Sequence, residues 1–205
     1  MRNADQVRQR MALYYANVAQ MDDALGLVLA ALRELDLEKD TVVVYTADHG
    51  ELLGDHGLWH RFQFYEGSCG VPLLMRVPRT TIPGSICPTT VSQVEVLPTL
   101  AELCGVKLPA LDGKSLVPQL RNPREARDQP VYSEFNLQTP RAKYMIRRGD
   151  FKYTFCVHDM AELYDLKQDP DEMDNLALKA AHKSRAEDLR DQLFRWYRPP
   201  EMKSG

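Results

Sequence analysis

The sequence predicts an α/β fold, with a sheet flanked by helices in residues 1–140 and a small antiparallel α+β subdomain in residues 141–205. Three observations carry that prediction. An apolar stripe of helical period runs from Asp5 to Leu37, a β-branched run Thr41-Val42-Val43-Val44-Tyr45-Thr46 follows at once, and short segments separated by turn residues occupy the C-terminal part. A continuous apolar strand marks a sheet covered on both faces, whereas alternation marks strands with one face in the core.

Within the first segment, Val7, Met11, Tyr14, Val18, Met21, Leu25, Val28, Leu32 and Leu35 recur at intervals of four and three, which keeps them on one helix face. A dimerising coiled coil shows the same heptad. Leu13, Tyr15, Leu27 and Leu29 widen the face beyond a two-position seam, and Gly26 interrupts the pattern. The expectation is therefore a long helix packed on the sheet; the competing reading is a non-catalytic module forming a homo-oligomer through this helix.

The run at Thr41 reads as a strand buried on both faces of a parallel sheet. Gly70 to Val77 is a second short apolar strand, and the Pro-rich residues 78–88 form a turn. Ser92-Gln93-Val94-Glu95 has the form of a capping box, Ser92 accepting from exposed amides and Glu95 reaching back. It opens a helix over Val94 to Leu103 that stops at Gly105, and residues 108–130 read as loop. Val131 to Phe135 alternates as a half-buried strand, and Lys143 to Arg148 with Phe151 to Val157 flank Arg148-Gly149-Asp150, a hairpin signal. Glu162 to Leu166 is a third strand of this region, Lys167 to Glu172 a turn, and Arg185 to Tyr197 an amphipathic helix.

Composition sets outer bounds. The 205 residues are 44% hydrophobic and 27% charged, the balance of an ordinary globular chain. A net charge of −3 offers no basic face, so nucleic acid is not indicated. No apolar run approaches the ~20 residues that span a bilayer. Cys69, Cys87, Cys104 and Cys156 lack the paired spacing of a zinc knuckle or redox motif, and read as core residues of a reduced protein, with pairing of distant cysteines left open.

The chemistry gathers where the Thr41 strand ends, at Ala47-Asp48-His49-Gly50-Glu51. In open α/β sheets, ligands bind beyond the carboxyl ends of strands. A carboxylate oxygen and a neutral ring nitrogen at such a place make half a metal site. Thr46-Ala47-Asp48-His49-Gly50-Glu51 after an apolar strand resembles the second metal-binding motif of the sulfatases, in the alkaline phosphatase superfamily. The likeness continues through Gly54-Asp55-His56-Gly57-Leu58-Trp59, Tyr65-Glu66-Gly67 and Val71-Pro72-Leu73. It extends to the small C-terminal subdomain of that family through the hairpin, Leu163-Tyr164-Asp165-Leu166, Asp169-Pro170, Asn175-Leu176-Ala177 and the terminal helix. Sulfatases carry a segment similar to 92–103 as well, usually with Asp where Glu95 stands.

The resemblance implies the C-terminal half of a sulfatase/alkaline phosphatase-like sheet and a sulfuric ester hydrolase acting on a sulfate ester, with a phosphonate or phosphate monoester hydrolase as the alternative. It implies a divalent cation on Asp48 and His49, calcium first, manganese or zinc as alternatives. Arg61 stands where the family has a Lys that binds the ester oxygens. A guanidinium grips an oxyanion but does not give up a proton at neutral pH, which leaves His60 as the candidate proton donor to the leaving alcohol. The family nucleophile is a formylglycine made from the Cys of Cys-x-Pro/Ala-x-Arg, and none of the four cysteines here is followed by that pattern. The expectation is that the nucleophile and the early Asp pair lie outside this chain, which would be inactive alone.

Overall fold

A computed structural model describes residues 4–125, 127–137 and 139–197. The chain forms two compact units, Met1–Pro83 and Gly84–Gly205. The division drawn at residue 140 from the sequence falls inside the second.

The first unit opens with helix α1, Ala4–Glu34, which runs unbroken through Gly26. Asp36, with φ 54°, closes it, and the amide of Leu37 donates to the Leu32 carbonyl at 2.9 Å. Strand β1, Val43–Thr46, follows, then the site loop, the short helix α2, Glu66–Cys69, and strand β2, Leu73–Arg76. Two expectations are corrected here. β1 pairs antiparallel with β2 in a two-stranded sheet, Val43 opposite Arg76 and Thr46 opposite Leu73, and its Tyr45 and Thr46 are exposed rather than covered on both faces. No residue of α1 is buried, so its apolar stripe is not packed on a sheet. The second follows from geometry: the two strands make a ribbon about 10 Å wide, too narrow to cover a helix of 31 residues, about 46 Å long.

The second unit holds α3, Val96–Leu103, α4, Val117–Arg121, strands β3, Val131–Phe135, β4, Lys143–Arg148, β5, Phe151–Cys156, and β6, Glu162–Asp165, and α5, Lys183–Trp196. The capping box at Ser92 forms: the Ser92 amide donates to Glu95 Oε2 at 2.9 Å. Glu95 is also buried and ion-paired with Arg127, a partner 32 residues away that local reading does not reach. α4 lies in the stretch read as loop; the buried Leu116 and Val117 pin it.

The four strands make one antiparallel sheet in the order β3-β4-β5-β6, with Gly149 at φ 58° turning β4 into β5 as expected. Tyr144, Ile146, Tyr153 and Leu163 line the face that packs on Leu189 and Leu193 of α5. Tyr132 stacks on Trp196 at 4.6 Å, and Phe155 meets Phe194 edge-on at 5.1 Å, which clamps the helix end. The opposite face buries Lys152, whose Nζ lies 2.6 Å from Glu172 Oε1, both side chains at most 2% exposed. Asn175 covers the edge of β6: its side chain accepts the Leu163 amide at 3.0 Å and donates to the Ala161 carbonyl at 3.1 Å. An edge so occupied cannot template another strand.

The cysteines are free, with Cys156 buried and Cys104 exposed. Burial pushes the Cys156 thiol up from 9.0 to about 11. The unfolded thiol ionises first as pH rises, so Cys156 withdraws stability between about pH 9 and 11. Urea midpoints measured across that interval fall less steeply in Cys156→Ala than in the parent; equal slopes would mean the thiol does not titrate differently on unfolding.

Candidate active site

β1 ends at Thr46, and Asp48 and His49 stand in the bend that follows. The His49 amide donates to Asp48 Oδ1 at 2.9 Å, which fixes the carboxylate against its own backbone. The His49 ring places Nδ1 2.9 Å from the Gly50 carbonyl oxygen. A carbonyl can only accept, so Nδ1 carries the proton and the lone pair of the neutral ring sits on Nε2. That nitrogen lies 3.5 Å from Asp48 Oδ2. With the neutral ring, two electron-rich atoms facing each other across 3.5 Å repel unless a cation, a proton or a metal ion, lies between them, and a backbone carbonyl on the far ring nitrogen is a common way to orient a metal-binding histidine. Asp48 is 87% exposed and His49 39%, so both donors are open to an ion. Among the described residues no third His, Cys, Asp or Glu joins them. The pair fits a divalent cation as two donors of a larger set.

The loop after the bend is folded by its own backbone. Leu52 is buried at its base, and Leu53 and His56 both take left-handed conformations, at φ 51° and 52°. Short turns hold them there: the Asp55 amide donates to the Leu52 carbonyl at 2.8 Å and the Gly54 amide to the Leu58 carbonyl at 2.7 Å. His56 stacks on Tyr65 with ring centroids 3.7 Å apart, a packing role rather than a ligand's. Phe64 is buried and anchors the loop, whereas Phe62 is exposed.

Arg61 is exposed, its guanidinium 5.5 Å from the centre of the Phe62 ring. His60 stacks on the same ring at 5.5 Å, and its Nδ1 accepts the Phe62 amide at 3.4 Å. The neutral His60 ring therefore carries its proton on Nε2.

A residue that sequence reasoning passed over joins the two halves of the loop. Ser68, in α2, is buried; its hydroxyl donates to the Arg61 carbonyl at 2.5 Å and its own carbonyl accepts the Gly50 amide at 2.7 Å. Only glycine fits at 50: a Cβ there would stand 2.2 Å from the Gly67 carbonyl oxygen. The signal in the sequence was the Gly67-Ser68 pair directly after Tyr65-Glu66, which reads as a turn and says nothing of what it crosses.

Gly50→Ala forces this backbone crossing apart. It lowers unfolding stability by about 3 kcal/mol, the upper part of the overpacking range, and a denaturation midpoint equal to the parent's would show that the crossing is looser than 2.2 Å implies.

The chain as a whole is similar to known proteins. Residues 54–198 match the family described as N-sulphoglucosamine sulphohydrolase, C-terminal. The chain is 36% identical over 178 residues to choline-sulfatase of Rhizobium meliloti (strain 1021), covering 84% of this chain and 34% of that protein. A protein solved in complex with its substrate D-glucosamine-2-N,6-O-disulfate superposes with a TM-score of 0.77 at 31% identity, over 89% of this chain and 39% of its own. The phosphonate monoester hydrolase of Agrobacterium radiobacter does so with a TM-score of 0.77 at 28% identity, over 94% and 42%. The chain spans about a third of the length of the curated relatives it matches. With a sulfatase C-terminal model matched over most of its length and a sulfatase 36% identical to it, the chain belongs to the sulfatase family.

Proposed function

We propose that this chain supplies one half of the active site of a sulfuric ester hydrolase. Asp48 and His49 hold a divalent cation, calcium first and manganese or zinc as alternatives; Arg61 binds the ester oxygens, and His60 protonates the departing alcohol. The observation that carries the reading is the pair of donor atoms, Asp48 Oδ2 and His49 Nε2, facing each other at 3.5 Å with the ring tautomer set by the Gly50 carbonyl. When bound, the cation supplies neutralisation of oxygen charge on the ester and acidification of the attacking group.

The chain's own residues do the rest. Arg61 offers a permanently charged fork that fits two oxygens of a tetrahedral oxyanion. As an imidazolium, His60 can give up a ring proton at neutral pH, which the Arg61 guanidinium does not. The formylglycine nucleophile and the remaining ligands belong, on this reading, to residues outside the chain, and the chain alone does not turn over esters. Likeness to choline-sulfatase and to a protein solved with a disulfated glucosamine supports a sulfate ester as substrate.

The likeness to a phosphonate monoester hydrolase favours a second reading, a phosphonate or phosphate monoester hydrolase. A phosphate monoester carries close to two negative charges at neutral pH, where a sulfate ester or a phosphonate monoester carries one, so the single guanidinium of Arg61 counts against a phosphate monoester and does not separate the other two. The exposed apolar side chains of α1, Leu13, Met21 and Leu27 among them, favour pairing through that helix as the alternative without catalysis.

The site reading is checked by elemental analysis: Asp48→Ala empties the protein of its divalent metal, and unchanged metal content removes Asp48 from the site. The class is checked by assaying the gene product that carries this chain on aryl sulfate and aryl phosphate side by side. The sulfate is cleaved faster; a faster phosphate reaction would transfer the chain to the second reading.

A further inference from the structure

Three further polar features lie outside the donor pair. The buried Lys152–Glu172 pair is closed off within the C-terminal sheet, and the Glu95–Arg127 pair is spent on holding the start of α3. The third, Ser68, touches both parts of the proposed site.

We infer that Ser68 is the positioning residue that sets Arg61 in register with the Asp48–His49 pair. Its two polar ends act on different groups. The Ser68 carbonyl receives the Gly50 amide at 2.7 Å, and the Gly50 carbonyl in turn receives His49 Nδ1 at 2.9 Å, so the imidazole hangs from the backbone of α2. The Ser68 hydroxyl reaches the other way and donates to the Arg61 carbonyl at 2.5 Å. One residue, only 2% exposed, thus ties a metal donor and an oxyanion donor that lie twelve positions apart in sequence.

The physical need is plain from Arg61 itself. Its side chain is exposed and rests on Phe62, which is also exposed, so packing does little to hold it. A long side chain grips an anion tightly only if the ordering cost is met before binding. Fixing the backbone at 61 through a buried hydroxyl meets part of that cost. The role rests on the reading of Arg61 as the ester-oxygen ligand.

The two ends make the inference separable from simple scaffolding. Ser68→Ala removes the hydroxyl and keeps the carbonyl, so it loosens Arg61 and leaves His49 in place. In the metal-loaded holoenzyme, Ser68→Ala weakens binding of inorganic sulfate, measured by calorimetry, about fivefold, the worth of one hydrogen bond, and raises KM for aryl sulfate in step. Metal content by elemental analysis stays at the parent's level. In an Arg61→Ala background, itself weakened about tenfold or more, Ser68→Ala causes no further loss. If the alanine variant does not fold, Ser68→Cys keeps the side-chain shape with a somewhat larger atom and a weaker donor, and shows the same split.

Equal losses in both backgrounds, or metal lost in proportion to sulfate affinity, would make Ser68 a scaffold residue and overturn the inference. Sulfate binding unchanged by Arg61→Ala would remove both the oxyanion role of Arg61 and the positioning role of Ser68, while the metal result for Asp48→Ala would stand independently.

Discussion

The close passage of Gly50 over Gly67 and Ser68 is the constraint on which the rest of the site depends. At that point two backbones approach to a distance that no side chain permits, and the Gly50 amide closes on the Ser68 carbonyl at 2.7 Å. The chain leaving β1 must therefore bend at once. The bend aims the Asp48 carboxylate and the His49 ring at one point, although neighbours on a continuing strand would face opposite sides. The same passage brings the start of α2 under the loop, so Arg61 and His60 are carried on a segment whose base is bonded to the bend.

Backbone groups, more than side chains, set the chemistry here. A carbonyl selects the His49 tautomer, an amide orients the Asp48 carboxylate, and an amide selects the His60 tautomer. Each assignment follows from a group that can play only one role in a hydrogen bond. Such control does not depend on the identity of the surrounding side chains.

The second unit solves a different problem. A four-stranded antiparallel sheet has two edges and two faces to cover, and the chain covers one face with α5 and the edge at β6 with Asn175. The Asn175-Leu176-Ala177 segment is a strand-edge cap, since the Leu176 amide also donates to the Leu163 carbonyl at 2.8 Å. Lys152 and Glu172 form a buried charge pair: burying two charges gains little net stability, but removing either one strands the other.

Local pattern was enough for β3, for the hairpin of β4 and β5 with its Gly149 bend, for the capping box at Ser92 and for the run of α1, because each is written in residues adjacent in sequence. The Asp48–His49 pair of the proposed site is likewise written in adjacent residues. What the pattern misjudged were relations across distance. The β-branched run at Thr41 looks alike whether its neighbours are parallel or antiparallel, since strand propensity does not encode a partner, and the pairing with β2 had to come from the fold. The heptad of α1 specifies an apolar face without saying what, if anything, meets it. Glu95 with Arg127, Lys152 with Glu172, and Ser68 with both Gly50 and Arg61 are contacts whose partners lie from 7 to 32 positions away. Which donors this chain brings to its site was thus carried by residue identity along the strand end; how they are held, by which carbonyl and at what spacing, came from three-dimensional closure of the loop, because a hydrogen bond exists only once both of its ends have been brought together.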